Sequence, residues 1–194
     1  MRSVKWRVER PTTPISTGPP GGLDPLDRYL LRPGPGKTER QIILCRELQW
    51  VQKTVAECDD QIAQAFEAHA DRELFASLPG AGPVLAPRLL ASLGSQRERY
   101  GQAKNLQNYS GIAPVTKQSG GKCYIHRRYL CPQFVKQSFH EYAKESILHS
   151  RWAAAHYWQQ RQKGCGHHTA VRSLAYKWQR IIWKCWQSRT LNQE

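Results

Sequence analysis

The sequence predicts a mainly α-helical protein: one long coiled-coil helix, then a compact helical domain containing a helix-hairpin-helix and a short β-hairpin-like loop. Three observations carry this. Apolar residues recur near the helical period of about 3.6 through most of the chain. Lys37 to Ala70 contains neither Pro nor Gly. Beyond it, Pro and Gly stand at the joins between apolar runs, where they stop one helix and admit the next. The expected organisation is a Pro/Gly-rich segment over 1–36, a coiled-coil helix within 37–76, and a basic domain over 77–190.

The first segment holds seven Pro and five Gly between Pro11 and Gly36. That density sustains neither a helix nor a sheet interior, so a disordered or loosely extended arm is expected. From Lys37 the pattern changes. Leu44, Leu48, Val51, Val55, Cys58, Ile62 and Ala65 are spaced alternately four and three apart, which makes the seam of a coiled coil. A helix from Lys37 to about Ala70 would reach roughly 50 Å at 1.5 Å per residue, more than a small domain covers. Its stripe then meets a second copy or another helix of the chain; the other reading is an amphipathic helix lying on its own core.

Asp71 to Ser77 reads as a short helix entering the turn Pro79-Gly80-Ala81-Gly82, with Pro83 at the first position of the next helix, where its missing N–H costs nothing. Val84, Leu85, Leu89, Leu90 and Leu93 give that helix an apolar face, and Gly94 stops it. Gln102 to Tyr109 forms another, ended by Gly111 and Pro114. Val115 to Ile125 is β-prone around Gln118-Ser119-Gly120-Gly121, as in a short hairpin. Three helices complete the chain: Pro132 to Leu148, with Phe134, Val135, Phe139, Tyr142 and Ile147 inward; Arg151 to Lys163; and His167 to Ser188. In the last, Val171, Leu174, Trp178, Ile181, Ile182 and Cys185 share a face while Arg172, Lys177, Arg180, Lys184 and Arg189 supply charge.

The net charge of +14 is distributed unevenly. Met1 to Ala76 balances eleven Lys and Arg against eleven Asp and Glu, whereas Ser77 to Glu194 sets eighteen against four. A basic excess confined to one domain, with aromatics interleaved, is the footprint of polyanion binding. The six cysteines (45, 58, 123, 131, 165, 185) are far apart and read as free, buried thiols of a reducing cytoplasm rather than a disulfide framework. No apolar run is long enough for a membrane span, and Met1 to Arg10 lacks the apolar region of a secretory signal. The spacing of Cys123, Cys131, Cys165, His167 and His168 differs from structural zinc motifs. Acidic residues in the basic region are too few for a paired-carboxylate metal site, so no metal site is expected in this chain.

Two stretches carry candidate chemistry. The amides of Gly80 and Gly82 at a helix N-terminus suit a DNA phosphate. Ser119, in a Gly-Gly loop between Lys117 and Lys122 and followed by Arg127 and Arg128, is placed like a nucleophile facing an anionic backbone. In other proteins most serines of such loops only form turns.

Leu78-Pro79-Gly80-Ala81-Gly82-Pro83, then Tyr109-Ser110-Gly111-Ile112-Ala113-Pro114, then Gln118-Ser119-Gly120-Gly121, in this order and spacing, resemble the C-terminal domain of insertion-sequence transposases of family one-ten. These are DEDD-plus-serine recombinases, some guided by a bridge RNA. The match runs from about Thr38 to Ser188. The resemblance implies a two-part active site: an N-terminal RuvC-like domain holding Mg2+ through four acidic residues, and a C-terminal serine that forms a covalent 5′-phosphoserine link to DNA. Ser119 matches that serine, with Ser110 the next candidate. Lys117, Lys122, Arg127 and Arg128 would steer or neutralise phosphate. The acidic domain would need about a hundred or more further residues before the long helix, and 1–36 has no such acidic constellation. The expectation is a truncated, DNA-binding transposase fragment, inactive alone, needing no cofactor of its own and pairing with itself through the coiled coil. The alternative is a non-catalytic helix-hairpin-helix protein that binds nucleic acid, in which Ser119 is a buried turn residue.

Overall fold

A computed structural model describes residues 39–126 and 128–191. The arm expected over 1–36, Lys37 and Arg127 lie outside the described residues. The chain divides into two units, residues 1–57 and 58–194.

Helix α1, Glu39–Glu67, is continuous, in keeping with the absence of Pro and Gly. Its 29 residues reach about 44 Å. Leu44, Leu48, Val51, Val55 and Ile62 of the expected seam are each about half exposed, and Cys58 and Ala65 are exposed as well. Only at its last turn does α1 enter a core, through buried Phe66.

Among the described residues the unit from Cys58 onward holds six further α-helices, α2 Arg72–Ala76, α3 Gly82–Leu93, α4 Ala103–Tyr109, α5 Gln133–His149, α6 Arg151–Gln162 and α7 His167–Ser188, and a 3-10 turn, Arg97–Arg99. A two-stranded antiparallel sheet, β1 Val115–Ser119 and β2 Lys122–His126, stands between α4 and α5. The elements thus follow the sequence pattern closely. Gly82 rather than Pro83 is the first residue of α3, and Gly94 ends that helix in a left-handed φ of 76°, a conformation that suits glycine.

Helix α5 is the hub. It packs on α3, α6 and α7, while α7 also meets α4 and α6. The centre is aromatic: Tyr142 and Trp152 each meet Trp178 edge-on, with centroids 5.3 and 5.2 Å apart. The Trp178 indole N–H donates to Ser146 Oγ at 2.8 Å, so the ring is buried with its donor satisfied. Arg97 ties the far end of α7 down. Its Nε donates to the Trp186 carbonyl at 2.8 Å, its guanidinium pairs with Asp71, and it lies over the Trp186 ring.

Some inward assignments fail. Val84 on α3 and Phe134 on α5 are exposed; both lie in the first turn of their helix, and Phe134 is covered only in part, by the Arg88 guanidinium of α3 over its ring. Trp186, not assigned to the α7 face, is fully buried. All six cysteines are free, but none is buried; Cys58 and Cys123 are exposed and the others half-buried. No helix among the described residues is long and apolar enough to cross a membrane.

Candidate nucleic-acid interface

The hairpin is the most open element of the domain. Every residue of its strands is exposed except half-buried Val115. Gly120-Gly121 closes it, and Gly120 takes φ +59°, as the first central position of a type II′ turn requires. The register pairs Ser119 with Lys122, Lys117 with Tyr124 and Val115 with His126. Side chains of a strand alternate between faces, and directly paired residues share one. One face therefore presents Lys117, Ser119, Lys122, Tyr124 and His126; Gln118 and Cys123 point the other way. The Tyr124 and His126 rings, 6.4 Å apart, lie on one side as this requires. Ser119 is exposed, and its hydroxyl has no hydrogen-bond partner among the described residues.

The sequence grouped Arg127 and Arg128 with this serine by proximity. Arg127 lies outside the described residues. Arg128 is half-buried and sits near the hairpin root, where Gly111 meets Cys131. Gly111 has φ +72°, and a side chain there would collide with the Cys131 thiol and reach the Arg128 Cβ. The Arg128 side chain thus starts from this packed root, and its Nε is buried. His126 stands out in the sequence as a potential cation just past the serine, with Arg127 and Arg128; Tyr124 went unnoticed, although a two-residue Gly-Gly loop fixes the pairing that puts both on the serine face. Ser110 is fully buried. Its Oγ donates to the Gln107 carbonyl at 3.1 Å and accepts from the Ile112 amide at 3.4 Å, so it is a turn residue and unavailable as a nucleophile.

The two glycines of the α2–α3 turn have different surroundings. Both have positive φ, +76° at Gly80 and +56° at Gly82. A Cβ on Gly80 would stand 2.7 Å from His149 Cδ2, whereas one on Gly82 would meet nothing within 4 Å. Gly80 is the contact by which this turn packs on the C-terminal end of α5; Gly82 is open. Ala81 and Leu85 amides are bonded to the Leu78 and Ala81 carbonyls, while the Gly80 and Gly82 amides donate to no backbone carbonyl among the described residues. The hairpin root lies at the other end of α5, beside Cys131, so about 24 Å of helix separates root and turn. They do not form one site around a single phosphate. They are two separate candidate positions.

No three His, Cys, Asp or Glu side chains among the described residues come together as a metal site. The His140 and His168 rings lie 5.9 Å apart at a tilt, and the Glu141 carboxylate feels the charge of His140. Burial, then the charges of His168 and Arg172, holds the His140 pKa below the ordinary value of 6.5.

The fold and the hairpin together define a basic helical domain that projects a cationic, serine-bearing β-ribbon. Residues 72–159 match the model of the transposase IS116/IS110/IS902 family. The chain is 35% identical over 128 residues to the Streptomyces coelicolor protein assigned as the mini-circle transposase for IS117, a match covering 66% of this chain and 31% of that one. It is 27% identical over 143 residues to the uncharacterized 42 kDa protein of insertion element IS900 of Mycobacterium paratuberculosis, covering 72% and 35%. With the uncharacterized 44.8 kDa protein of insertion element IS116 of Streptomyces clavuligerus it shares 25% over 161 residues, covering 81% and 40%. The helical domain is therefore similar to the transposases of this family, and the chain spans about a third of the length of the curated relatives it matches.

Proposed function

We propose that this chain supplies the DNA-gripping, serine-bearing part of a transposase of the IS116/IS110/IS902 kind, acting in DNA transposition and recombination. The observation that carries this reading is the hairpin face, on which Ser119 is open to solvent between Lys117 and Lys122. In the proposed step the Ser119 Oγ attacks a DNA phosphorus. An Oγ–P bond forms and the P–O3′ bond breaks, leaving a 5′-phosphoserine and a 3′-hydroxyl that takes the proton. Lys117 and Lys122 favour this by offsetting negative charge on the phosphoryl oxygens. A serine hydroxyl is a weak nucleophile at neutral pH and needs a base or metal. None of the hairpin residues is a carboxylate. The Mg2+ that the resemblance implies would be held by another part of the transposase.

The turn between α2 and α3 serves, on this proposal, as the helix-hairpin-helix contact. The exposed Gly82 amide and the N-terminus of α3 favour phosphate, and Gly82 lets the backbone approach closely. The half-exposed seam of α1 serves pairing with a second copy. A guide RNA rests on the resemblance alone and has no residue of this chain attached to it. The competing reading, a binding module in which Ser119 is a buried turn residue, is disfavoured by the exposure of Ser119.

The test is binding to duplex DNA measured across a salt series. The proposal expects binding that weakens steeply as salt rises and depends weakly on sequence, since amides and Lys side chains contact phosphate rather than base edges. Affinity that does not change between low and high salt contradicts it.

A further inference from the structure

We infer that the groove between α4 and α7 is a second DNA-backbone site, holding one strand of duplex DNA against Lys104, Lys177, Arg180 and Lys184. It rests on the reading above that this domain grips DNA, and it adds a surface which that reading does not use.

Two concavities of about 350 and 370 Å³ lie side by side here and share Ala103, Arg180 and Trp183, so they form one continuous groove. Lys177, Lys184 and Arg180 line the first, and Lys104 and Arg180 the second. All four cations are exposed. Residues 177, 180 and 184 fall on one stripe of α7, spread over about 10 Å of helix, the reach of two successive phosphates. No Asp or Glu lines either concavity, and neither α4 nor α7 contains one. A solvated helix face ordinarily mixes charge signs, because like charges three or four apart repel. Here the repulsion is uncompensated within the groove, and a polyanion relieves it.

The groove's two aromatic residues, Tyr176 and Trp183, both packed against the core, decide between a paired and an unpaired strand. The Trp183 indole N–H donates to the Tyr100 carbonyl at 2.8 Å and the ring is half-buried. It is pinned as part of the wall instead of standing free as a platform on which unpaired bases stack. What the groove offers is a row of cations for a phosphate backbone, which fits a duplex whose bases remain stacked on one another.

The full chain carrying Lys177→Gln, Arg180→Gln and Lys184→Gln provides the test. Gln is a good helix former and the sites are exposed, so circular dichroism should be unchanged. A control chain carries Lys144→Gln, Arg151→Gln and Lys163→Gln, exposed cations of α5 and the two ends of α6, and loses the same charge. Binding to a duplex oligonucleotide of mixed sequence is followed by fluorescence anisotropy over a salt series. Each phosphate contact adds about 0.9 to the slope of log K against log salt. The groove variant should flatten the slope by about 2 to 3 and lower affinity at least about tenfold at low salt, with the control changing the slope by less than about 1. Equal slopes for groove variant and control overturn the inference, as does a loss seen only with single-stranded DNA or only with RNA. If loss follows substitutions at Lys117 and Lys122 but not in the groove, the groove alone is wrong. If the unsubstituted chain binds no duplex, both readings fall.

Discussion

Ser119 stands directly opposite Lys122 as the last pair of the hairpin ladder before the Gly120-Gly121 turn. Lys117 lies two residues back on the same face. A phosphate that approaches the serine hydroxyl therefore meets two ammonium groups first. Lys117→Gln with Lys122→Gln should flatten the salt slope of DNA binding by about 2, and Cys123→Ser, on the opposite face, should leave it unchanged. An anisotropy salt series reads this directly, and equal slopes for the two variants would remove the face from the interface.

The two turn glycines should separate stability from binding. Gly80→Ala places a Cβ against His149 in a left-handed conformation, which costs about 1–3 kcal/mol and should lower the urea midpoint. Gly82→Val meets no neighbour but covers the open amide, so it should weaken DNA binding severalfold while costing about 1–2 kcal/mol for its positive φ. Were Gly82→Val to bind DNA as tightly as the original chain, the turn would be structural only.

Stability should fall as pH drops below 6.5. Burial, then His168 and Arg172, depresses the His140 pKa; burial, then Lys177 and Lys163, depresses that of His156. The unfolded chain then takes up protons before the folded one does. The stabilisation is complete above the ordinary value of 6.5 and is lost as pH falls through the depressed folded values. Urea unfolding at pH 7.5 and 5.5 should show the difference, and His140→Gln should reduce it. A chain equally stable at both values contradicts this.

Self-association should run through α1. Leu44, Leu48, Val51, Val55 and Ile62 are each about half exposed in the single chain, and burying such a side chain contributes about 1.5–3 kcal/mol. Sedimentation at micromolar concentration should show a dimer or larger assembly that Leu48→Asp with Val55→Asp converts to monomer. If the unsubstituted chain sediments as a monomer, copies of this helix do not pair.

The helices were legible because Pro and Gly punctuate this chain where helices stop, as at Gly94, Gly111 and Gly164-Cys165-Gly166. Periodicity identified the core faces of α5 and α7. It failed at Val84 and Phe134, because a periodic pattern does not say which first-turn residues a neighbouring helix covers. The candidate site was legible only in part. Adjacency in sequence drew Arg127 and Arg128 toward Ser119, but strand alternation and pairing decide which side chains share a face, and they bring Tyr124 and His126 there. No sequence signal separated Gly80 from Gly82. Their difference arises from a contact with His149, sixty-nine residues beyond Gly80. The exposure of Ser119 and the burial of Ser110 likewise follow from tertiary packing, since both serines precede a glycine.

On the proposed function, Ser119 becomes covalently joined to DNA. A chimera in which residues 72–159 of this chain replace the matching segment of the IS117 relative, incubated with Mg2+ and the element's end sequences, tests it most directly. Denaturing electrophoresis followed by mass spectrometry should find a DNA phosphate on Ser119. With Ser119→Ala the adduct should vanish while DNA binding persists. An adduct that survives Ser119→Ala, or that maps to another residue, would contradict the assignment.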